Sequence, residues 1–540
     1  MNTSPIADPI AAGLASGWQV TDCASLQRGL TLEADVVVIG SGAGGGVTAD
    51  ILAQAGLAVL IVEEGGLNSS KQFKMREADA YPALYQESAA RKTRDKAINI
   101  LQGRTVGGST TVNWTSSFRT PPATLAHWQS HHSLAACTVA SLAPWFEMME
   151  RRLHVSDWPV PPNENNDLLR RGAQVLGIPT AAIRRNVNGC WNLGYCGMGC
   201  PTNAKQSMLV TTIPAALSLG ARLLVHARAE RFVLQGDRVA GLQVAAMDGQ
   251  GIEPTGVLVT VRARHYVLAG GAINSPALLL RSNAPDPHHL LGKRTFLHPT
   301  VISAGVFAQR VDAYAGAPQT VYSDHFLHAQ SIDGAIGYKL EAPPLHPLLM
   351  ATTMGGFGDA HAHTMRQFPH VHALLALLRD GFHAEASGGS VAIDRRGAPL
   401  LDYPLTPFIW DGVRRALLSM AEIQFAAGAH SVYPVHELAS HYTSWRQARQ
   451  AIEALPMKAL LARVVSAHVM GGCAMSDDEH LGVTDGQGRY RGLANVSVHD
   501  GSLFPTSLGA NPQLSIYALA ARLASDLASA LTRPVAAAAP

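Results

Sequence analysis

The amino-acid sequence predicts an α/β protein of two bodies: a discontinuous Rossmann-like domain for a dinucleotide, and a substrate domain built on an antiparallel sheet with helices. Three observations predict it. A strand, glycine turn, helix, strand and acid follow one another through residues 35–66. A second apolar strand, 266–269, runs into the paired Gly270 and Gly271, and Ser275-Pro276 is expected to begin a helix with proline in its first turn. Between 300 and 464 that grammar gives way to short alternating runs such as 390–393 and 400–403, which read as hairpin strands.

The first series carries the most chemistry. Val36, Val37, Val38 and Ile39 are consecutive β-formers that lead into Gly40, Gly42 and Gly45, in G-x-G-x-x-G spacing. Glycines so placed allow a tight turn, close backbone approach to a pyrophosphate, and close packing of the next helix on the strand. With Ala43 and Gly44 they open a helix over roughly 44–55, whose free N–H groups and positive dipole end favour phosphate. A second strand, 58–62, ends on Glu63, 18 residues after Gly45. An acid there suits a ribose hydroxyl pair and disfavours a 2′-phosphate. FAD and NAD both satisfy these requirements.

At 540 residues the chain exceeds one core. It is 47% hydrophobic and 15% charged, with a net charge of +2, so nothing calls for nucleic acid as a partner. The first twenty residues lack a basic segment followed by an uninterrupted apolar run, and no eighteen-residue apolar stretch occurs, so the expected place is the cytoplasm, with at most a peripheral membrane contact. Six cysteines do not make a disulfide scaffold in a chain this long.

Further along, Gly103 and Arg104 precede Gly107, Gly108 and Ser109, and Asn113 follows. Glycine this dense in a non-repetitive chain presses backbone against something flat or charged. The object expected is the far half of the same cofactor.

Together these stretches resemble the glucose–methanol–choline (GMC) family of FAD-dependent oxidoreductases. Residues 35–66 are similar to its ADP-binding start, Gly103 to Asn113 to its first signature, and Gly270 to Leu280 to its second. Leu291 to Pro299 is similar to the family's exit from the FAD domain, and Asp500-Gly501-Ser502 with Asn511-Pro512 complete the pattern. The resemblance implies non-covalent FAD, since no histidine lies between Gly103 and Asn113. It implies contacts from Ala229 on the adenine side, and from Asp500, Gly501, Asn511 and Pro512 near the flavin. The implied division is an N-terminal extension over 1–34, an FAD domain over 35–115, 205–299 and 465–535, and a substrate domain over 116–204 and 300–464.

Oxidising an alcohol by hydride transfer to flavin N5 needs a group to take the hydroxyl proton, and histidine titrates in the right range. The chain has 23 histidines, and His468, in Ser466-Ala467-His468-Val469-Met470-Gly471-Gly472, is the one similar to the family's catalytic histidine. The second catalytic position falls on Asn511, which orients oxygen but cannot act as a base. The resemblance implies that asparagine at this position, where sugar-oxidising members often carry a second histidine, favours an alcohol or sterol-like substrate over a sugar, and the expected substrate is a hydrophobic primary or secondary alcohol. A cyanohydrin-type lyase and a fatty-acid photodecarboxylase are alternatives on the same fold. Electrons would leave to O2, or to a quinone or cytochrome.

Cys190, Cys196 and Cys200 are spaced C-x5-C-x3-C and followed by proline. The run resembles that of FAD glucose dehydrogenase catalytic subunits, which implies a [3Fe–4S] cluster on these three residues. It also resembles cysteine stretches of long-chain alcohol oxidase relatives, which implies a thiol-lined loop.

Overall fold

The computed structural model describes residues 6–533. Its organising strand, Leu30–Ile39, pairs in parallel with Val59–Val62 on one side and with Pro254–Leu268 on the other. Val36, Val37 and Val38 are fully buried, as a β-branched run covered on both faces requires. Arg222–Val225 extends the parallel order beyond Val59–Val62, and Val496–Val498 joins Pro254–Leu268 in parallel. An antiparallel ribbon, Ala227–Gln235 with Arg238–Met247, forms the other edge of this eight-stranded sheet.

Two expectations are corrected here. Residues 1–34 are not all an appendage: Gln19–Asp22 is an edge strand paired in parallel with Arg222–Val225, and the central strand already starts at Leu30. The alternation Leu30, Leu32, Ala34 carries it past the helix-covered zone, where Leu30 pairs Val259 and Ala34 pairs Ala263. The helix expected to begin at Ser275-Pro276 begins at Gly271 and runs to Arg281, with Pro276 inside it. Gly271 adopts φ +82°, and this left-handed turn sets the helix start before the proline is reached.

A second eight-stranded sheet is built mostly from strands after residue 299. Thr300–Val306 pairs antiparallel with Val371–Leu378, which pairs antiparallel with Tyr338–Glu341. Val371–Leu378, apolar but for His372, is a wholly buried strand. The 20-residue helix Pro407–Ala426 packs across Thr300–Val306 and Val371–Leu378. The hairpin Gly389–Ile393 with Pro399–Asp402 forms as expected, but in a separate four-stranded sheet with Lys293–Phe296 and Met470–Gly471. Among the described residues, Gln513–Thr532 is the helix long and apolar enough to cross a membrane. It packs on the helices Ala43–Gln54 and Val139–Arg152, burying Leu514, Tyr517 and Leu523.

Candidate active site

Where the strands of the first sheet end, the chain leaves a cavity of about 890 Å³, near the upper end of the ~300–1,000 Å³ usual for cofactor and small-molecule sites. Gly40, Gly42, Ala43 and Gly44 line one end. The helix Ala43–Gln54 starts at Gly42 with no side-chain cap, so the N–H groups of its first turn face the cavity unsatisfied. That is an anion site by construction. A Cβ on Gly44 would stand 1.5 Å from the His499 carbonyl oxygen. Gly45 lies behind the wall, where a Cβ would stand 1.9 Å from the Gly40 carbonyl oxygen. It serves helix-on-strand packing instead of contact.

Glu63 is buried at the end of its strand and lines the same cavity. Its carboxylate accepts from the Ser41 N–H at 3.1 Å, the Ser41 hydroxyl at 2.5 Å and the Gly65 N–H at 2.9 Å. Burial pushes its pKa up, against the pull of these three bonds. A carboxylate has about four lone-pair sites, so one is left for a ribose hydroxyl. Ser41 in turn accepts from the Gly107 N–H at 3.0 Å, which ties the second glycine loop to the first. Gly107 itself is packed away, with a would-be Cβ 2.4 Å from Thr111 Oγ1. Ala229 lines the cavity beyond Glu63.

Gly103, Arg104, Gly108, Ser109 and Asn113 also line the cavity. The backbones of Gly103 and Gly108 touch, a would-be Cβ on Gly103 standing 2.6 Å from the Gly108 carbonyl carbon, and Ser109 Oγ accepts from the Gly103 N–H at 3.0 Å. Arg104 spends its guanidinium on the carbonyls of Gly251 and Gln250 and, at 3.4 Å, of Pro82. It fastens a loop. Asn113 Nδ2 donates to Gln513 Oε1 at 2.6 Å. Asp500 accepts from the Gly271 N–H at 2.8 Å, the Ser275 hydroxyl at 2.6 Å and the Ser502 N–H at 2.8 Å. It joins the second glycine-rich helix to the turn that carries Gly501. The helix after Pro512 has no side-chain cap either, and Pro512, Gln513 and Ile516 line the cavity.

These features fit FAD. Two glycine loops that a Cβ would fill, an uncapped helix N-terminus and a buried acid with a spare lone pair form one continuous cradle.

At the opposite end stand His468 and Asn511, among Val112, Leu375, Leu377 and Val469. His468 Nδ1 lies 3.2 Å from His298 Nδ1, and His298 Nε2 accepts from the Gly509 N–H at 3.0 Å. Burial first, then the Lys339 charge, pushes His468 down to a pKa of about 3. Asn511 Oδ1 accepts from Lys339 Nζ at 3.0 Å, and Asn511 Nδ2 donates to Glu341 Oε2 at 3.3 Å. Lys339 and Glu341 pair at 2.9 Å, and the ammonium sits 3.1 Å from the Phe118 ring centroid. Sequence reading passed over Ser41, His298, Lys339, Glu341 and Gln513. The one local signal was Lys339 and Glu341, opposite charges two apart in an apolar strand and hence on one face.

The cysteine reading is corrected. Among the described residues no group of three or more His, Cys, Asp or Glu side chains is placed to hold a metal ion, so the iron–sulfur ligand set of Cys190, Cys196 and Cys200 has no support. Each thiol has a different neighbour: the Asn192 N–H meets Cys190 Sγ at 3.4 Å, Arg185 lies 3.9 Å from Cys196 Sγ, and Thr202 Oγ1 lies 3.4 Å from Cys200 Sγ. The loop is gathered by cations. Lys205 Nζ donates to the carbonyls of Thr111 at 2.5 Å, Asn113 at 3.0 Å and Cys196 at 2.7 Å.

Comparison with known proteins agrees with this geometry. Residues 60–300 match the N-terminal and residues 386–520 the C-terminal family profile of GMC oxidoreductases. An uncharacterized GMC-type oxidoreductase of Sinorhizobium fredii is 30% identical over 505 residues, covering 93% of this chain and 95% of its own. Long-chain-alcohol oxidase FAO4A of Arabidopsis thaliana is 27% identical over 515 residues, 91% of this chain and 68% of its own. A formate oxidase structure from Aspergillus oryzae superimposes with a TM-score of 0.65 at 14% identity, covering 94% of this chain and 99% of that one, a likeness of fold.

Proposed function

The chain belongs to the GMC oxidoreductase family, and from that premise we propose that it oxidises a hydrophobic primary or secondary alcohol to the aldehyde or ketone. One observation carries the reading: His468 and Asn511 stand together at an apolar end of the cavity whose other end is the dinucleotide cradle. The alcohol oxidase relatives support the substrate class, and O2 is the favoured electron acceptor on the same ground.

FAD, when bound, supplies the hydride acceptor. The uncapped turn after Gly42 would hold its pyrophosphate and Glu63 its ribose. The segment Gly103 to Asn113 would lie along the ring, and the helix after Pro512 would turn its positive end toward it. The chain's own part at the alcohol is to orient it. His468 and Asn511 meet the substrate oxygen, and the leucines, Val112 and Val469 exclude water and take up the carbon chain.

The test is anaerobic addition of long-chain primary and secondary alcohols to the purified flavoprotein. The expected result is bleaching of the flavin band, with reoxidation on admitting O2. A flavin that stays oxidised with every alcohol would overturn the reading and favour a lyase or decarboxylase on this fold.

A further inference from the structure

We propose that the face carrying Met75, Trp191, Leu193, Leu348 and Phe357 is a docking surface for an anionic lipid bilayer. It seats the protein with the 190–200 loop between the lipid and the cavity. The surface stands on its own observations; that the bilayer is also the source of the substrate rests on the alcohol reading above.

The first observation is exposed apolar area gathered in one place. Phe357 is 91% exposed and Trp191 63%, and Met75, Leu193 and Leu348 are exposed as well. Apolar side chains scattered singly over a surface are ordinary, whereas a gathered patch marks an interface. Contacts between three segments gather this one. Glu77, two residues after Met75, accepts from the Leu348 N–H at 2.6 Å and the Leu349 N–H at 2.8 Å. The ring of Tyr195, two residues after Leu193, meets that of His346 at 4.9 Å between centroids. Asn203 Nδ2 donates to Ser70 Oγ at 3.1 Å, and Gly199 presses on the Phe73 ring. His361 Nε2 meets the Ala351 carbonyl at 3.0 Å, which folds the turn carrying Phe357 back on the helix Pro347–Thr353.

Trp191 and Leu193 face outward for a local reason. Gly189, Asn192, Gly194 and Gly199 adopt φ of +65°, +58°, +87° and +82°, and a would-be Cβ on Gly194 stands 2.2 Å from the Tyr314 carbonyl oxygen. The loop meets the protein through its backbone there, and these two side chains are left to solvent.

Charge is the second observation. Lys71, Lys74 and Arg76 surround Met75 in sequence and are all exposed. Arg76 pairs with Asp79 at 3.4 Å, while Glu77 spends its carboxylate on Leu348, Leu349 and the Tyr81 hydroxyl. Lys71 and Lys74 have no carboxylate partner among the described residues; Lys74 Nζ donates to the Lys71 carbonyl at 2.6 Å. Bulky apolar side chains beside cations suit an anionic bilayer, since rings settle at the headgroup level and ammonium groups meet lipid phosphates and carboxylates. Pairing two copies of the chain through this face would gather like cations into one interface.

The third observation joins the patch to the cavity. The Gly197 carbonyl accepts from the Tyr85 hydroxyl at 2.7 Å, and a would-be Cβ on Gly197 stands 3.1 Å from Trp114 Nε1. Tyr85 and Trp114 line the cavity. One loop thus has the cavity on its inner side and the apolar patch on its outer side.

The test sediments the holoenzyme with vesicles of phosphatidylcholine, alone or with about 30% phosphatidylserine. Binding to the mixed vesicles is expected, with little to phosphatidylcholine alone, and it should weaken as salt is raised. Trp191→Ser with Phe357→Ser should lower the partition coefficient about a hundredfold. Lys71→Gln, Lys74→Gln and Arg76→Gln together should lower it by about as much and remove the salt dependence. Both variants should keep the flavin spectrum and the rate of flavin reduction by a short soluble alcohol, and lose rate with hexadecanol supplied in vesicles. Equal binding to the two vesicle types, or variants that bind like the parent, would overturn the proposal. So would a dimer that Phe357→Ser dissociates in a protein that ignores vesicles, which assigns the face to a second copy. If mixed vesicles bind while no alcohol bleaches the flavin, the alcohol reading fails and the docking surface stands. Bleaching by soluble alcohol without vesicle binding does the reverse.

Discussion

The dinucleotide end of the cavity is walled by backbone and the oxygen-binding end by side chains, and the two tolerate change differently. At Gly40, Gly44, Gly45 and Gly103 the contacts are backbone carbonyls and N–H groups, packed so closely that a methyl group has nowhere to go. Around His468 the contacts are imidazole, amide, ammonium and carboxylate, brought from four separate segments. Damage at the first end should appear as lost flavin and stability. Damage at the second should appear as lost chemistry with the flavin retained.

The largest effect belongs to the second end. His468→Ala should slow anaerobic flavin reduction by alcohol about 10²- to 10⁴-fold while leaving the flavin spectrum intact. A rate within a few-fold of the parent would dissolve the contrast between the ends.

Lys339→Met should be nearly as severe in stability, because it strands the fully buried Glu341 without its counter-ion, a loss of about 3–5 kcal/mol. Adding Glu341→Leu should restore most of the melting temperature but not the rate, since Asn511 would no longer be held. Equal stability of single and double variants would show that the pair carries no mutual burden.

Acid should act on the scaffold around both ends. His265, His372 and His499 are buried neutral, burial pushing them down to about 4, 3 and 3. The unfolded chain binds protons at these sites near pH 6.5, the folded chain only near pH 3–4, so stability present above about 6.5 is lost as pH falls. The expected slope is about 1.4 kcal/mol per pH unit for each, roughly 4 for the three. Thermal melts from neutral pH to pH 5 measure it, and His499→Asn, which keeps a polar partner for Thr48, should lower the slope by about 1.4 kcal/mol per pH unit. A melting temperature independent of pH over that range would refute the neutral burial.

At the cradle, Gly44→Ala must displace the His499 backbone, at a cost of about 1–3 kcal/mol, read as lower flavin content after purification. The smallest change is expected in the cysteine loop. Cys196→Ala and Cys200→Ala should each cost under ~1 kcal/mol and leave flavin reduction unaltered, since these thiols lie outside both ends. Iron in the parent protein, lost in either variant, would restore the cluster reading.

Much of the cradle could be read because its logic is local. Gly40, Gly42 and Gly45 stand in a recognisable spacing within six residues, where a Cβ on Gly45 would meet the Gly40 carbonyl, and Glu63 follows one helix later. Gly103 and Gly108 announced themselves by density alone. Their partner Ser41, a plain serine between two glycines, carried no such mark. Arg104 was legible as part of a signature, yet its guanidinium serves the loop at Gln250 and Gly251.

The oxygen-binding end was only half visible. His468 and Asn511 stood out by resemblance, but what each can do depends on His298, Gly509, Lys339 and Glu341, most of which lie far from them in sequence.

The sequence by itself determined the parallel sheet, the glycine turns, the acid at Glu63 and the helix that follows Pro512, because strand propensity, steric room and helix dipoles act over a few residues. Tertiary structure alone decided that Gln19–Asp22 joins the first sheet and that, among the described residues, the three cysteines form no group placed to hold a metal ion. It also decided that His298 and Lys339 close on the catalytic pair. The physical reason is range. Hydrogen-bond direction and buried charge pairing are set between segments more than a hundred residues apart, and only the packed fold brings their donors and acceptors within about 3 Å of one another.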